Sequence, residues 1–306
     1  MNIQELKSRI DESFNNKTEE EGSGRISFSQ YSLFAKCPKS WELAYGRGLR
    51  TYQPSIHTAF GTAFHETLQN FLGLYLDGKK SEALSIDLKE YLKQQMLDTY
   101  MSEYDKSNIG HFSTAEELAE FYQDGCDILH YLSSRMNLYF DPDRYDMMGI
   151  EAPLFLQAID SNDKVNMLSF VDIVLYDKID DRLKIVDIKT STRGWGKWAL
   201  EDPVKVSQVY FYKHYFSKQY DFPVDKIDVE FFIVKRRVPK DAEFAVMQRR
   251  VQSFKPASGP RKTKQVLDSL NNFISSAIDS NGEYIDKEYK CTNPFGKCEH
   301  CTPFVN

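Results

Sequence analysis

Apolar residues spaced three to four positions apart open the chain and predict an amphipathic helix. The residues on its apolar face are Ile3, Leu6, Ile10 and Phe14. Segment 21–24, which reads Glu-Gly-Ser-Gly, then predicts a flexible break. We therefore expect residues 1–24 to be a helical arm that precedes a main domain spanning 25–306. Such an arm would suit docking on a partner protein.

The main domain begins with helical spacing and then changes to strand spacing. Helices are predicted at about 59–76, 81–100 and 114–140, and the last two form a helical insertion over about 80–140. Strands follow at 148–158, 165–176 and 183–188, with Asp-Lys and Asp-Asp pairs between them that suit tight turns. The pattern ends with a helix at 204–218, a strand at 229–234 and one more strand at 243–251. The predicted fold is therefore α/β (α+β), with a core of one helix, an antiparallel meander of three strands, a second helix and a further strand.

Composition and charge limit the classes of protein that fit. A chain of 306 residues with 41% hydrophobic and 14% aromatic residues can bury a large core. No apolar run is long enough to cross a membrane, and the amino terminus lacks a secretory segment, so we expect a cytoplasmic protein without a membrane partner. The net charge of −6 argues against a nucleic-acid partner, but segment 235–264 carries ten lysines and arginines against two acids. A solvated face is the plain interpretation of this run, and a local phosphate-binding surface is the one we favour.

Acidic residues stand at the ends of two neighbouring predicted strands. Asp172 lies on the second strand, and the third strand ends in Asp187-Ile188-Lys189. Carboxylate oxygens are the ligands that Mg²⁺ and Mn²⁺ prefer, and a lysine beside them can orient a water or neutralise phosphate charge. His65 on the first long helix could complete such a site, although a lone helical histidine more often has a structural role. Because Asp-x-Lys also occurs by chance at strand ends, these residues alone are a weak signal.

The five cysteines are unevenly distributed along the chain. Cys37 stands alone near the start of the main domain, whereas Cys291, Cys298 and Cys301 lie close together in a segment containing Pro and Gly. Disulfides are rare in cytosolic proteins, so this cluster predicts a metal-binding loop. Four thiolates can hold Zn²⁺ or an iron–sulfur cluster, and spacing alone leaves both open. Cys126 falls in a helical run and is interpreted as a buried residue without a metal role.

The order of these motifs resembles that of the RecB-type nucleases of the PD-(D/E)XK superfamily. The matching residues are Gly61 and His65 in Gly-x-x-x-His, Asp172 on a strand, Asp187 with Lys189 in Asp-x-Lys, and Gln208 with Tyr212 in Gln-x-x-x-Tyr. Segment 26–31, followed by Cys37-Pro38 and Trp41, also resembles the amino-terminal signature of that family. Ser169 departs from the pattern, because it stands where the family usually has the glycine of Gly-x-x-Asp. The resemblance runs from about residue 26 to the carboxyl end.

This resemblance implies a restriction-endonuclease-like core and a role for each matching residue. His65, Asp172 and Asp187 would bind one or two Mg²⁺ or Mn²⁺ ions, with the Ile188 carbonyl as a further ligand. Lys189 would orient the attacking water and stabilise the charge that develops on the phosphate. Gln208 and Tyr212 would position the substrate strand or brace the site, although Gln208 could equally be a surface amide. Glu151, at the start of the first strand, has two equally good interpretations: it is a ligand of a second metal ion, or it is an ordinary solvated residue at a strand end.

The resemblance also bears on the cysteines. AddB-type and CRISPR-associated members of the family join one amino-terminal cysteine to three carboxy-terminal ones around a 4Fe-4S cluster, and Cys37, Cys291, Cys298 and Cys301 have this arrangement. Their terminal spacing, six residues and then two, reverses the order associated with those members. A structural Zn²⁺ with Cys37 or His300 as fourth ligand therefore remains the alternative. Either group would join the two ends of the chain.

Four residues are predicted to contact DNA, namely Trp195, Trp198, Arg236 and Arg237. The tryptophans could stack on unpaired bases, although core packing is the more common role of tryptophan. No base-reading element and no Walker-type phosphate loop is recognisable, so sequence-specific cutting is not expected and a helicase motor would be a separate protein.

We therefore expect a bacterial or phage-encoded, metal-dependent deoxyribonuclease. Its predicted activity is that of an exonuclease on single-stranded DNA ends in recombination, repair or phage DNA processing. The alternatives are a structure-specific flap endonuclease and a non-catalytic DNA-binding clamp of a helicase–nuclease complex. Under each of these three hypotheses, a helicase or recombination protein is a candidate partner.

Overall fold

A six-stranded sheet forms the centre of the protein. A computed structural model of the chain describes residues 2–15, 24–49, 53–107, 110–239, 248–292, 298 and 301. The strands are β1 (Gly24–Ile26), β2 (Tyr145–Ile159), β3 (Asn162–Asp177), β4 (Arg182–Ser191), β5 (Ile227–Lys235) and β6 (Val251–Phe254). Along the sheet the order is β1-β3-β4-β5-β6, with β2 paired to β3.

The predicted meander is confirmed and the strands are longer than expected. β2, β3 and β4 are antiparallel neighbours, β5 pairs with β4 in parallel, and β6 pairs antiparallel with β5. The partners of β3 change along its length, since its residues 165–167 pair with β1 and its residues 173–177 pair with β4. Residue 172 therefore lies just beyond the end of the ladder between β3 and β4.

Helices cover both faces of this sheet. They are α1 (Ile3–Asn15), α2 (Phe28–Lys36), α3 (Pro38–Trp41), α4 (Ile56–Leu76), α5 (Lys80–Ser85), α6 (Leu88–Lys106), α7 (Ala115–Ser133), α8 (Met136–Tyr139), α9 (Lys197–Glu201), α10 (Pro203–Tyr220) and α11 (Pro260–Ala277), with a π-helical turn at Glu42–Gly46 and a 3₁₀ turn at Val224–Lys226. Helices α4, α6, α7 and α8 pack on one face, and α1, α2, α10 and α11 pack on the other. β5 shows the consequence: Phe231 faces the second group and Phe232 the first. A strand buried on both faces reads as a continuous apolar run, which is the pattern at 229–234.

Caps set the start of the two helices that carry site residues. The Ser55 hydroxyl accepts a hydrogen bond from the Thr58 amide, 3.1 Å away, at the start of α4. The Asp202 carboxylate accepts bonds from the amides of Val204 and Lys205 at the start of α10, where Pro203 occupies the first helical turn. Side chains that satisfy free amides in this way stabilise a helix by about 1 kcal/mol.

Several boundaries differ from the sequence prediction. The helix expected at 81–100 is divided into α5 and α6, because Asp87 caps a new helix with bonds to the amides of Lys89 and Glu90. The helix expected at 114–140 ends at Ser133, before the short α8. α11 was not predicted. Of the strand expected at 243–251, residues 243–247 lie outside the described residues, and β6 begins only at Val251.

The amino-terminal helix lies on the core. Leu6 and Ile10 of α1 are fully buried, and the Lys7 ammonium donates to the Met147 carbonyl of β2. The Arg9 guanidinium donates to the Tyr220 carbonyl at the end of α10. Gly24, expected in a flexible break, instead begins β1. None of the helices in the described ranges is long and apolar enough to cross a membrane.

Candidate active site and metal centre

The end of the β3–β4 ladder brings the two acids together. The pairing between these strands stops at Ile173 and Val186, next to Asp172 and Asp187. Beyond that point the Asp172 carboxylate, rather than a backbone carbonyl, accepts the Ile188 amide, with an O···N distance of 2.7 Å. The side chain thus takes the place of a ladder hydrogen bond. This contact fixes Asp172 beside the Asp-x-Lys segment.

The Asp187 carboxylate is completely buried, and little positive charge lies near it to balance its negative charge. Its Oδ2 atom lies 2.6 Å from the Lys189 ammonium, and no other described group donates a hydrogen bond to either carboxylate oxygen. Burial raises the pKa of Asp187 to about 6, against the opposing effect of Lys189, and the nearby Asp172 charge raises it further. Burial likewise raises the pKa of Asp172 to about 6. Two buried carboxylates share one ammonium, so the site is short of positive charge.

The histidine faces these acids from α4. Its Nδ1 atom lies 3.7 Å from Asp172 Oδ2. Burial lowers the pKa of His65 to about 4, and the Lys189 charge lowers it in the same direction. The imidazole is therefore neutral near pH 7 and keeps a lone pair for a metal ion. One turn earlier, Gly61 lets α4 approach β4 closely, because a Cβ atom there would lie 3.3 Å from Thr190 Oγ1.

A glutamine that the sequence did not suggest connects three elements at this site. Gln69 Nε2 on α4 donates to Glu151 Oε1 on β2 at 2.6 Å and to the Asp172 carbonyl on β3 at 3.1 Å. Glu151 itself has a φ of +50°, which is unfavourable for a residue with a side chain. The signal in the sequence was the position of Gln69, four residues after His65 and hence on the same helical face.

Behind the acids, α10 contributes a buried phenol. Gln208 Nε2 donates to the Tyr212 hydroxyl at 2.8 Å. Burial raises the pKa of Tyr212 well above its usual value, and the charges of Asp187 and Asp172 act in the same direction, so the phenol stays neutral. Ser169, which replaces the expected glycine, is a further hydrogen-bonding partner of this phenol. The Gln208–Tyr212 pair therefore lies near the two acids, within the protein.

The side chains present fit a hard divalent cation. The donor set is two carboxylates and one neutral imidazole, and the buried Asp187 Oδ1 has no hydrogen-bond donor among the described residues. Oxygen and imidazole ligands suit Mg²⁺ and Mn²⁺. Each uncompensated buried charge is costly, and an added cation would offset that cost.

The four residues predicted to contact DNA occupy different environments. Trp198 on α9 is 90% exposed, whereas Trp195 packs against Phe231 with ring centroids 4.9 Å apart. Arg236 is 5% exposed and forms an ion pair of 2.9 Å with Asp124 on α7. Arg237 pairs with Glu120 on the same helix. The two arginines thus contact protein carboxylates in this structure.

Four cysteine thiols converge far from the acids in the sequence. The Sγ atoms of Cys37, Cys291, Cys298 and Cys301 all lie within 4.8 Å of one another. Burial alone would raise the pKa of Cys37, but hydrogen bonds from the backbone of Thr292 and Ser40 lower it to about 6, which favours the thiolate. Cys126 is buried elsewhere and His300 lies outside the described residues. The four thiols form a set that could hold a metal ion or cluster.

Comparison with known proteins adds one family match. The sequence model of the PD-(D/E)XK nuclease superfamily matches residues 25–303. No curated protein matches the chain. The matched range contains His65, Glu151, Asp172, Asp187 and all four clustered cysteines, and it leaves out α1.

Proposed function

The chain belongs to the PD-(D/E)XK nuclease superfamily, and we propose that it is a metal-dependent DNA exonuclease acting on single-stranded ends. The observation that carries this proposal is the fully buried Asp187 carboxylate, which lies 2.6 Å from the Lys189 ammonium, shares that positive charge with Asp172 and lies near a neutral His65. Such a cluster destabilises the folded protein unless a cation and a charged substrate use it. The cluster therefore lowers the stability of the folded protein, and a catalytic role would explain why the fold contains it.

Each residue of the cluster has a role in this proposal. His65, Asp172, Asp187 and the Ile188 carbonyl would hold Mg²⁺ or Mn²⁺, and Glu151 would serve a second ion. When bound, the ion supplies positive charge to the scissile phosphate and lowers the pKa of a water. Burial alone would lower the pKa of Lys189, but Asp187 and Asp172 raise it, so the ammonium stays protonated. It can therefore donate to a water and stabilise negative charge that develops on the phosphate.

One observation supports a single-stranded substrate, and another supports an enzyme over a clamp. Trp198 presents almost its entire indole to solvent at the start of α9, close in sequence to the catalytic strand. Indole faces stack on unpaired bases, which a duplex keeps within its own stack. In addition, a non-catalytic clamp has no use for the costly Asp187–Lys189 pair, so the intact pair supports an enzyme over the clamp.

The test is degradation of end-labelled single-stranded DNA with Mg²⁺ or Mn²⁺. We expect Lys189→Ala to reduce the rate about 100-fold or more, as removal of one preorganised charge donor does in other enzymes. Lys93→Ala, which removes an exposed lysine paired with Glu90 on α6, is the matched control and should retain activity. Resistance of circular single-stranded DNA would identify an exonuclease, and its cleavage an endonuclease. Bound but uncut DNA with either metal would favour the clamp.

A further inference from the structure

A large basic cavity lies along the β6 edge of the sheet, outside the acid cluster. Its volume is about 1160 Å³. Its wall is formed by β5, β6, the loop after β4 and the turn between α7 and α8. Six cationic side chains line it: Arg135, Lys184, Arg193, Lys235, Arg249 and Lys255. Four aromatic rings, Tyr131, Tyr139, Tyr145 and Trp195, also line it, and the almost fully buried Phe232 lies beneath them in the wall. We call this space the edge cavity.

Most of the positive charge in the edge cavity has no protein counter-charge. Glu230 is the one carboxylate among its lining residues, and it interacts with Lys184 at 2.8 Å and more weakly with Lys255 at 3.8 Å. Within the described ranges, no carboxylate lies at ion-pair distance from the other four cations. Burial and the neighbouring Arg249 charge lower the pKa of Lys235, which indicates that these cations repel one another. An anionic ligand would relieve this repulsion.

Other cations of the same basic segment behave differently. Arg236, Arg237 and Arg250 form ion pairs with Asp124, Glu120 and Asp127 of α7. The fold therefore divides the run at 235–264 into side chains that attach a helix and side chains left open to a ligand. Such a division is not expected from a merely solvated face, where exposed cations would be spread without regard to partners.

The edge cavity begins close to the acid cluster. In the parallel pairing of β4 and β5, Ser191 lies opposite Lys235, and Lys189 lies two residues earlier on β4. Two strand residues span about 7 Å. Arg193, in the loop that follows β4, continues the same wall. A strand whose phosphate lies at Lys189 would therefore reach the cavity within a few nucleotides.

We propose that the edge cavity binds unpaired nucleotides of the substrate strand next to the cleaved phosphate. The inference rests on the nuclease function proposed above and identifies where that function holds its substrate. Cations that track the backbone, interleaved with aromatic rings that stack on bases, are the usual means of binding single strands. The volume exceeds the range of about 300–1,000 Å³ typical of small-ligand pockets, which favours a segment of polymer over a free anion. Duplex DNA keeps its bases inside and has no group to place between the rings.

The first test measures binding of a fluorescent fifteen-residue oligothymidylate in EDTA, where no cleavage occurs. We expect Arg135→Gln and Arg249→Gln each to weaken binding by about three- to tenfold. Each should also reduce the slope of log affinity against log salt by about 0.7, the value for one phosphate contact on a single strand. Arg261→Gln removes an exposed arginine of the same basic segment on α11 that does not line the edge cavity, and is the matched control. It should bind like the wild type.

A second arm separates base stacking from phosphate binding. Tyr139→Leu should lose about tenfold in affinity for the oligothymidylate and little for an abasic strand of equal length. Tyr139→Phe keeps the ring and should restore binding, while thermal melting of each variant checks the fold. If Arg261→Gln lost as much affinity as the two cavity variants, the proposal would be overturned, because binding would then depend on the general positive charge of the surface and not on the edge cavity. Wild-type affinity in Arg135→Gln and Arg249→Gln would also overturn it, and continued cleavage by the wild type would show that the nuclease function stands independently. Absence of binding by the wild type would overturn it as well.

Discussion

At the scale of single residues, the acid cluster depends on side chains that replace backbone contacts. Asp172 accepts the Ile188 amide where the ladder ends, and Gln69 spans from Asp172 to Glu151. Glu151 keeps an unfavourable backbone conformation, with a φ of +50°. Strain of this kind persists only where neighbouring contacts impose it. Gln69 is therefore a positioning residue for Glu151 and Asp172.

Gln69→Leu should reduce nuclease activity about tenfold and lower the free energy of unfolding by about 1–3 kcal/mol, because it leaves a buried carbonyl and a carboxylate without their donor. Steady-state kinetics with titrated Mn²⁺ and urea denaturation measure the two effects. Weakened metal dependence would identify a positioning role that a merely structural residue lacks. Gln94→Leu, an exposed helical amide bonded to Asp98, is the control. Wild-type metal dependence in Gln69→Leu would contradict the prediction.

A second residue, His214 on α10, should influence how stability depends on pH. Burial lowers its pKa from 6.5 to about 4, and the Lys218 charge acts in the same direction. The unfolded chain therefore binds a proton more readily, and the contribution of His214 to stability is complete above pH 6.5 and is lost as the pH falls toward 4. The loss is below about 3.5 kcal/mol, since one pKa unit equals about 1.4 kcal/mol and solvent around the partly buried imidazole screens some of the effect.

Urea denaturation at pH 7.5 and at pH 4.5 measures this contribution. His214→Gln should show a smaller decrease in the free energy of unfolding between the two pH values than the wild type. His65, whose pKa is also lowered, should keep part of the decrease in both proteins. If the free energy of unfolding decreased equally in the two proteins, His214 would not contribute to the pH dependence of stability.

At the scale of elements, ion pairs attach helix α7 of the insertion to the sheet. Arg236 at the end of β5 pairs with Asp124 at 2.9 Å, and its guanidinium carbon lies 3.6 Å from the centroid of the Phe121 ring. Arg250, just before β6, pairs with Asp127 at 3.0 Å. These contacts place α7 and α8 over the edge cavity. The position of the insertion thus depends on charges that the sequence alone had suggested for DNA.

Arg236→Ala should lower the free energy of unfolding by about 3–5 kcal/mol, because it leaves the Asp124 charge without its buried partner. Arg237→Ala removes an exposed arginine with a similar helical partner and should cost no more than about 1 kcal/mol. Chemical denaturation of both variants gives the comparison. Similar decreases in the free energy of unfolding for the two variants would contradict the prediction that the buried ion pair contributes more than the exposed one.

At the scale of the whole molecule, the cysteine group closes the chain on itself. Cys37 and Cys301 are 264 residues apart, and their Sγ atoms lie 3.2 Å from each other. Three further Sγ pairs, Cys37–Cys291, Cys298–Cys301 and Cys291–Cys301, are 3.6–3.9 Å apart, and all four atoms lie within 4.8 Å of one another. The three distances are close to the roughly 3.8 Å between thiolates around one tetrahedral Zn²⁺ with 2.3 Å bonds. This spacing supports zinc, whereas the one-plus-three cysteine order supports the 4Fe-4S cluster. Either group would constrain the longest loop in the protein.

Cys298→Ser should remove the bound metal and lower the free energy of unfolding by about 2–5 kcal/mol, the range for loss of a native cross-link. Metal analysis and the visible spectrum of the purified protein identify the group, since a cluster is brown and zinc is colourless. Cys126→Ala, which changes the buried cysteine outside the group, should keep the metal. Unchanged metal content and stability in Cys298→Ser would show that no metal group held by these cysteines joins the two ends of the chain.

The order of the core elements and the acids at their ends followed from the sequence, because spacings of 3.6 and 2 residues report which face of a segment is buried. Helix α4, the meander and β5 were therefore predictable, and the motifs pointed to Asp172, Asp187, His65 and Lys189, which the fold brings into one cluster. Contacts between distant segments were not. That Gln69 would bond Glu151, 82 residues away, or that Arg236 would face a carboxylate instead of solvent, depends on which helices pack on which side of the sheet. The spacing of apolar residues along the chain indicates which face of each element is buried, and only the tertiary structure decides which residues pack against that face.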